Sequence, residues 1–169
     1  YAIDKMHQLG FVHHDVKPEN VLVNLDANKK IVDLVLSDFE FTSLIDQETS
    51  VCGTYGYMNV LKYGCNKWIS SELDDFYSLA IMYVEKYCHI ENITMINNRD
   101  YILKLRRLHR KINWRNNDYE VGSPQLYRLM FDITNSFLNI RFKMETQLVL
   151  QQHIDNLKQH IDSVHTTDV

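Results

Sequence analysis

The chain has 169 residues and a formal net charge of −4, from 18 basic and 22 acidic side chains, with a pI near 6.0. That length suits one domain that buries about 70% of its unfolded surface, and a composition 45% hydrophobic and 11% aromatic supplies the core. Near-balanced charge excludes the broad basic field of a nucleic-acid binder, and no run of 18 apolar residues offers a membrane span. Cys52, Cys65 and Cys88 have no zinc-type spacing, and their odd number excludes a dense secreted disulfide scaffold. An intracellular location, cytoplasmic or nuclear, is the expectation.

Residues 1–9 carry Ile3, Met6 and Leu9 three apart, which predicts a helix that Gly10 stops. The opening Tyr1-Ala2-Ile3-Asp4-Lys5-Met6-His7 lacks the basic-then-apolar order of a signal peptide and reads as the middle of a helix. Phe11-Val12 is a short apolar entry. Val21-Leu22-Val23 and the β-branched run Ile31 to Leu36 flank the turn-forming Asp26-Ala27-Asn28-Lys29-Lys30 and predict a hairpin. Residues 40–58 are a polar stretch with no long periodic segment, the mark of a functional or disordered loop.

Residues 71–88 predict a helix with apolar side chains, Phe76, Leu79, Ala80, Met82 and Tyr83 among them, on most of its circumference, hence a core element. Residues 99–111 predict a basic amphipathic helix. Its run Lys104-Leu105-Arg106-Arg107-Leu108-His109-Arg110-Lys111 reads as a solvated face, with a docking patch as the alternative. A polar loop at 113–123 precedes a helix over 124–138 with Leu126, Leu129, Met130, Ile133 and Phe137 on one side. The last helix, 144–164, spaces Leu150, Ile154, Leu157, Ile161 and Val164 by 4, 3, 4 and 3 residues. Two heptads are short for a coiled coil, so the stripe is expected to pack on its own domain, with a dimer or partner helix as the alternative.

His13-His14-Asp15-Val16-Lys17-Pro18-Glu19-Asn20 resembles the catalytic loop of eukaryotic Ser/Thr protein kinases, His-Arg-Asp-Leu-Lys-Pro-Glu-Asn. Six positions agree in register, a coincidence of about 10⁻⁸ at any given place. Ser37-Asp38-Phe39-Glu40, 23 residues past Asp15, resembles the Asp-Phe-Gly motif. Cys52-Gly53-Thr54-Tyr55-Gly56-Tyr57-Met58 resembles the end of an activation loop. Asp74-Asp75-Phe76-Tyr77-Ser78-Leu79-Ala80 resembles Asp-x-Trp-Ser-Leu-Gly, and Asn139-Ile140-Arg141 stands where a late structural arginine belongs. The motifs occur in family order across nearly the whole chain.

The resemblance implies an α+β, mainly α-helical fold: a kinase C-terminal lobe over 1–169, with a short hairpin at the catalytic loop, 144–164 as its terminal amphipathic helix, and the N-terminal nucleotide-binding lobe missing. It implies transfer of the ATP γ-phosphate to Ser/Thr hydroxyls of a protein substrate, with Mg²⁺ as the metal. In that register Asp15 is the base that accepts the substrate proton, Lys17 reaches the γ-phosphate, and Asn20 and Asp38 hold magnesium. Thr54 positions the acceptor. His13, Phe39, Asp75 and Arg141 are structural, Asp75 through backbone amides of the catalytic loop.

Four departures resemble divergent kinases of large DNA viruses, baculoviruses included, or of protists. His14 replaces the arginine that grips a phosphorylated activation loop, and an imidazole makes no bidentate phosphate fork. Glu40 replaces a glycine whose freedom permits the active/inactive flip. Asn59-Val60-Leu61 replaces Ala-Pro-Glu, so Arg141 loses its usual partner unless Glu72 substitutes or the region is stabilised differently. Tyr77 and Ala80 replace tryptophan and glycine. The competing expectation is a non-catalytic kinase mimic that binds a kinase or a kinase substrate as a decoy. A metal site independent of ATP is not expected, because the His13-His14 and His153/His160 pairs lack a ligand partner at suitable spacing.

Overall fold

The computed structural model describes residues 2–88, 132–134, 136 and 147–165. Helix α1 spans Ala2–Gln8. Gly10, at φ 84°, ends it and donates its amide to the His7 carbonyl at 2.9 Å, a left-handed closure that costs glycine nothing. The chain turns at once into β1, Phe11–Val12, which pairs antiparallel with β4, Ser43–Leu44.

Strands β2, Val21–Leu25, and β3, Ile31–Leu36, form the predicted hairpin, in register from Val21↔Leu36 to Asn24↔Asp33 and then shifted by one residue at Leu25↔Ile31. Its turn is built by Asp26, whose Oδ1 accepts from the amides of Asn28 and Lys30 at 2.8 Å each. Leu22, Val23, Leu25, Ile31, Val32, Leu34 and Val35 are all exposed, so neither face of this hairpin is covered.

Within 40–58, expected as a loop, the structure adds β4 and β5, Glu48–Ser50, and β5 pairs with β6, Lys67–Ile69. These two- and three-residue strands are too short for a period-2 pattern to reveal them. Helix α2 runs Glu72–Cys88, with Leu73 donating to the Ser71 hydroxyl at 3.3 Å over its first turn. Tyr77, Ala80 and Ile81 on it are fully buried, as expected for a core helix.

Helix α3, Gln147–His165, matches the predicted final helix. Leu150, Ile154 and Leu157 join Tyr57, Met58, Val60, Tyr63, Phe76, Tyr77 and Ile81 in one hydrophobic core. That much of the heptad stripe packs on its own domain, and the side chains of Ile161 and Val164 lie outside the described residues. The predicted elements at 99–111 and 113–123 lie outside them as well. Of 124–138, residues 132–134 and 136 are described, as helix, with Ile133 buried in the core.

Candidate active site

The site is assembled by the segment between β1 and β2. Asp15 is 3% exposed, and both of its carboxylate oxygens are engaged. Oδ1 accepts from the Thr54 amide at 2.8 Å and the Thr54 hydroxyl at 2.6 Å. Oδ2 accepts from Lys17 Nζ at 2.7 Å and Asn20 Nδ2 at 3.1 Å. Lys17 Nζ also donates to Thr54 Oγ1 at 2.7 Å. Burial opposes the charge on Asp15, but Lys17 and Thr54 outweigh it and hold the carboxyl below its usual range. Sequence positions 15, 17, 20 and 54 are thus one cluster.

The approach of Thr54 requires glycine before it. Gly53 sits at φ 114°, and a Cβ there would lie 2.7 Å from the His14 carbonyl oxygen. Only a residue without a side chain lets this loop reach Asp15.

Asn20, 5% exposed, spends its amide nitrogen on the Asp15 carbonyl at 2.9 Å and carboxylate, which leaves its amide oxygen for a ligand. Asp38 follows β3 at φ 64°, an uncommon conformation for a non-glycine residue. It is exposed, and among the described residues its carboxylate has no hydrogen-bond or ion-pair partner. An amide oxygen and a free carboxylate at the same edge are hard oxygen donors of the kind Mg²⁺ takes. Glu40, by contrast, is not at positive φ, so this conformation makes no demand for glycine there.

His13 is fully buried, with Nε2 3.0 Å from the Ser37 carbonyl and its ring 5.2 Å from that of Phe39. It links the catalytic-loop segment to the Asp38 segment, while Phe39 itself is 53% exposed. Asp75, fully buried at the start of α2, accepts the amides of His13 at 2.9 Å and His14 at 2.8 Å. A third donor had no sequence signal: His7 Nε2, 2.9 Å from Asp75 Oδ2. Arg141 lies outside the described residues.

His14 stands at φ 70° and is 2% exposed. Its Nε2 faces the hydroxyls of Ser43 at 2.7 Å and Ser70 at 3.1 Å; its Nδ1 faces Lys62 Nζ at 3.0 Å and Asp74 at 3.3 Å. Lys62, 1% exposed, pairs with Asp74 at 3.1 Å, and Asp74 also accepts from Asn59 at 2.8 Å and Trp68 at 3.0 Å. Burial opposes the Asp74 charge, yet His14, Lys62 and Asn59 together keep its pKa below the ordinary value. This network fills the region of Asn59-Val60-Leu61, where the Asn59 side chain also accepts from the Leu61 amide at 3.0 Å. Glu72 pairs with Lys158 of α3, 3.6 Å away. Sequence reasoning missed Lys62 and Asp74, since nothing in the pattern marks a lysine after Val60-Leu61 as buried.

Comparison with known proteins agrees with this geometry. A family model described as the protein kinase domain matches residues 1–153. The chain belongs to the protein kinase family. It is 41% identical over 58 residues to a serine/threonine-protein kinase of Drosophila melanogaster, across 34% of this chain and 8% of that protein. It is 37% identical over 87 residues to a putative ribosomal protein S6 kinase alpha-1 of Caenorhabditis elegans, across 50% of this chain and 10% of that one. The chain thus spans a tenth or less of these curated relatives. Among solved structures it is similar in fold to the Cydia pomonella granulovirus kinase PK-1, with a TM-score of 0.54, 18% identity, and coverage of 89% of this chain and 55% of that one.

Proposed function

We propose that this chain is the catalytic-loop-bearing C-terminal lobe of a Ser/Thr protein kinase that transfers the ATP γ-phosphate to protein hydroxyls. The observation that carries the reading is the Asp15–Lys17–Thr54 cluster, three side chains whose polar atoms lie within 2.7 Å of one another in the fold. Bound Mg–ATP supplies the phosphoryl group and neutralises its charge. Asp15 holds an ionised carboxylate at the acceptor hydroxyl and takes its proton. Lys17, paired with Asp15, reaches the γ-phosphate, where its cation steadies the charge that develops during transfer. Thr54 ties the acceptor-binding segment to both. Asn20 and Asp38 supply the oxygen donors for the metal.

The exposed apolar hairpin β2–β3 supports the view that a nucleotide-binding lobe covers this edge in the complete kinase, since such surface is rarely left to water. An intracellular site of action follows from this reading. The test is Asp15→Asn in protein that carries both lobes, assayed by phosphate transfer to a protein substrate. Loss of a general base lowers transfer by about 10²–10⁴-fold; undiminished transfer ends the assignment. A second reading, a kinase mimic acting as a decoy, draws on Glu40 beside Asp38. It requires partner binding that survives both Asp15→Ala and Asp38→Ala, and binding lost in both folded variants rejects it.

A further inference from the structure

The β5–β6 ladder extends past its last strand pair. Glu48↔Ile69, Thr49↔Trp68 and Ser50↔Lys67 are opposed, and one step on the Val51 amide donates to the Asn66 carbonyl at 3.4 Å. Continued one step beyond these bonds, the same register sets Cys52 opposite Cys65, whose own amide closes a turn on the Lys62 carbonyl at 3.0 Å. Ladder bonds alternate along an antiparallel pair, and here they fall at Gln47/Ser70, where Ser70 donates to Gln47 at 2.9 Å, and at Val51/Asn66. Cys52 and Cys65 therefore take a position without ladder bonds. At such positions opposed Cα atoms come to about 4.5 Å and the side chains share a face, inside the window of roughly 4.4–6.8 Å that a disulfide spans.

Both are free thiols, Cys65 exposed and Cys52 half-buried. Cys65 Sγ makes only a weak contact with the Leu61 carbonyl, at 3.6 Å, so turning it toward Cys52 gives up little. We propose that Cys52 and Cys65 form an oxidation site that closes to a disulfide across the end of the β5–β6 turn on exposure to a peroxide. The Cys65 thiolate attacks a peroxide oxygen; the O–O bond breaks, leaving a sulfenic acid and, with one proton taken up, water. The Cys52 sulfur then displaces the hydroxyl, which leaves as a second water with the Cys52 proton. Two thiols are oxidised to one disulfide, and one hydrogen peroxide is reduced to two waters. Burial raises the Cys52 pKa and disfavours its thiolate, so the first attack falls to the exposed Cys65. The bridge closes a ring over residues 53–64, which contains Thr54 and its bonds to Asp15 and Lys17.

The experiment does not depend on the phosphoryl-transfer reading. The folded protein is treated with hydrogen peroxide, its remaining thiols are blocked, and it is then denatured and digested with trypsin. The expected product joins peptides 31–62 and 63–67, is two hydrogens lighter than their sum, and is split by dithiothreitol. Cys52→Ser and Cys65→Ser each abolish it, and oxidation after denaturation removes its predominance over other pairings. Peptides that stay unlinked while each thiol goes on to sulfinic acid overturn the proposal, as does linkage through Cys88 or to a second chain.

Discussion

The residues of the candidate site show how unequal the work of similar side chains is. Asp15, Asp74 and Asp75 are all buried carboxylates, yet each is stabilised differently: by Lys17 and Thr54, by Lys62 and its neighbours, and by the amides of His13 and His14. Thr54→Ala deletes the hydroxyl that touches Asp15 and Lys17 while keeping the amide bond at 2.8 Å. Transfer by the two-lobed protein is expected to drop about 10- to 100-fold, as for a misplaced positioning group, and Thr54→Ser should restore most of it. Kinetics that leave Thr54→Ala at wild-type rate would remove Thr54 from the site. Asp75→Ala strands the His13 and His14 amides and His7 without an acceptor. A loss of about 3–5 kcal/mol in urea unfolding is expected.

At the level of elements, the turn between β5 and β6 and the start of α2 are locked by the Lys62–Asp74–His14 network. In the family pattern an arginine at position 14 waits for a phosphorylated loop; here a buried lysine already supplies the cation. Lys62→Met takes the lysine cation from a buried Asp74 and leaves it to His14, Asn59 and Trp68, at a cost of about 3 kcal/mol. Lys62→Met with Asp74→Asn, which removes both charges and keeps one acceptor oxygen for Trp68 or Asn59, should recover part of it. A double variant no more stable than the single one speaks against the pairing. This network was illegible in the sequence because Lys62 and Asp74 meet only after the chain has made the β5–β6 turn. The segment 13–20 was legible through its resemblance to a kinase catalytic loop, and the structure brings Asp15, Lys17 and Asn20 of that segment into contact.

For the molecule as a whole, acid stability follows from the two depressed carboxyls. Asp15 and Asp74 have folded pKa values below the ordinary 3.8, so the unfolded chain binds their protons first as pH drops. Their contribution is complete above about pH 5 and drains away as pH falls through their lower folded values. Urea midpoints measured from pH 6 to pH 2 should fall in that window, and more gently in Asp74→Asn. The hairpin β2–β3 behaves oppositely to the core: its exposed Val32 and Leu34 should tolerate replacement by lysine within about 0.5 kcal/mol in this chain. In protein carrying the proposed nucleotide lobe, the same changes should weaken ATP binding. Equal ATP affinity there would show that the hairpin faces water in the complete kinase too.

Local spacing in the sequence determined the helices at 2–8, 72–88 and 147–165, the hairpin, and the order of the kinase motifs, because each rests on residues within one or two turns of one another. Three decisions belonged to the tertiary structure. Burial chose the place of the heptad stripe, setting Leu150, Ile154 and Leu157 in the core that also holds Tyr77 and Ile81 of α2. Long-range hydrogen bonding chose His7 as a third ligand of Asp75, across 68 residues. The exclusion of water around Asp74 required a cation beside it and so gave Lys62 a role that no periodicity encodes. A pattern along the chain reports which faces are apolar; it does not report which distant polar groups must neutralise one another once those faces have closed.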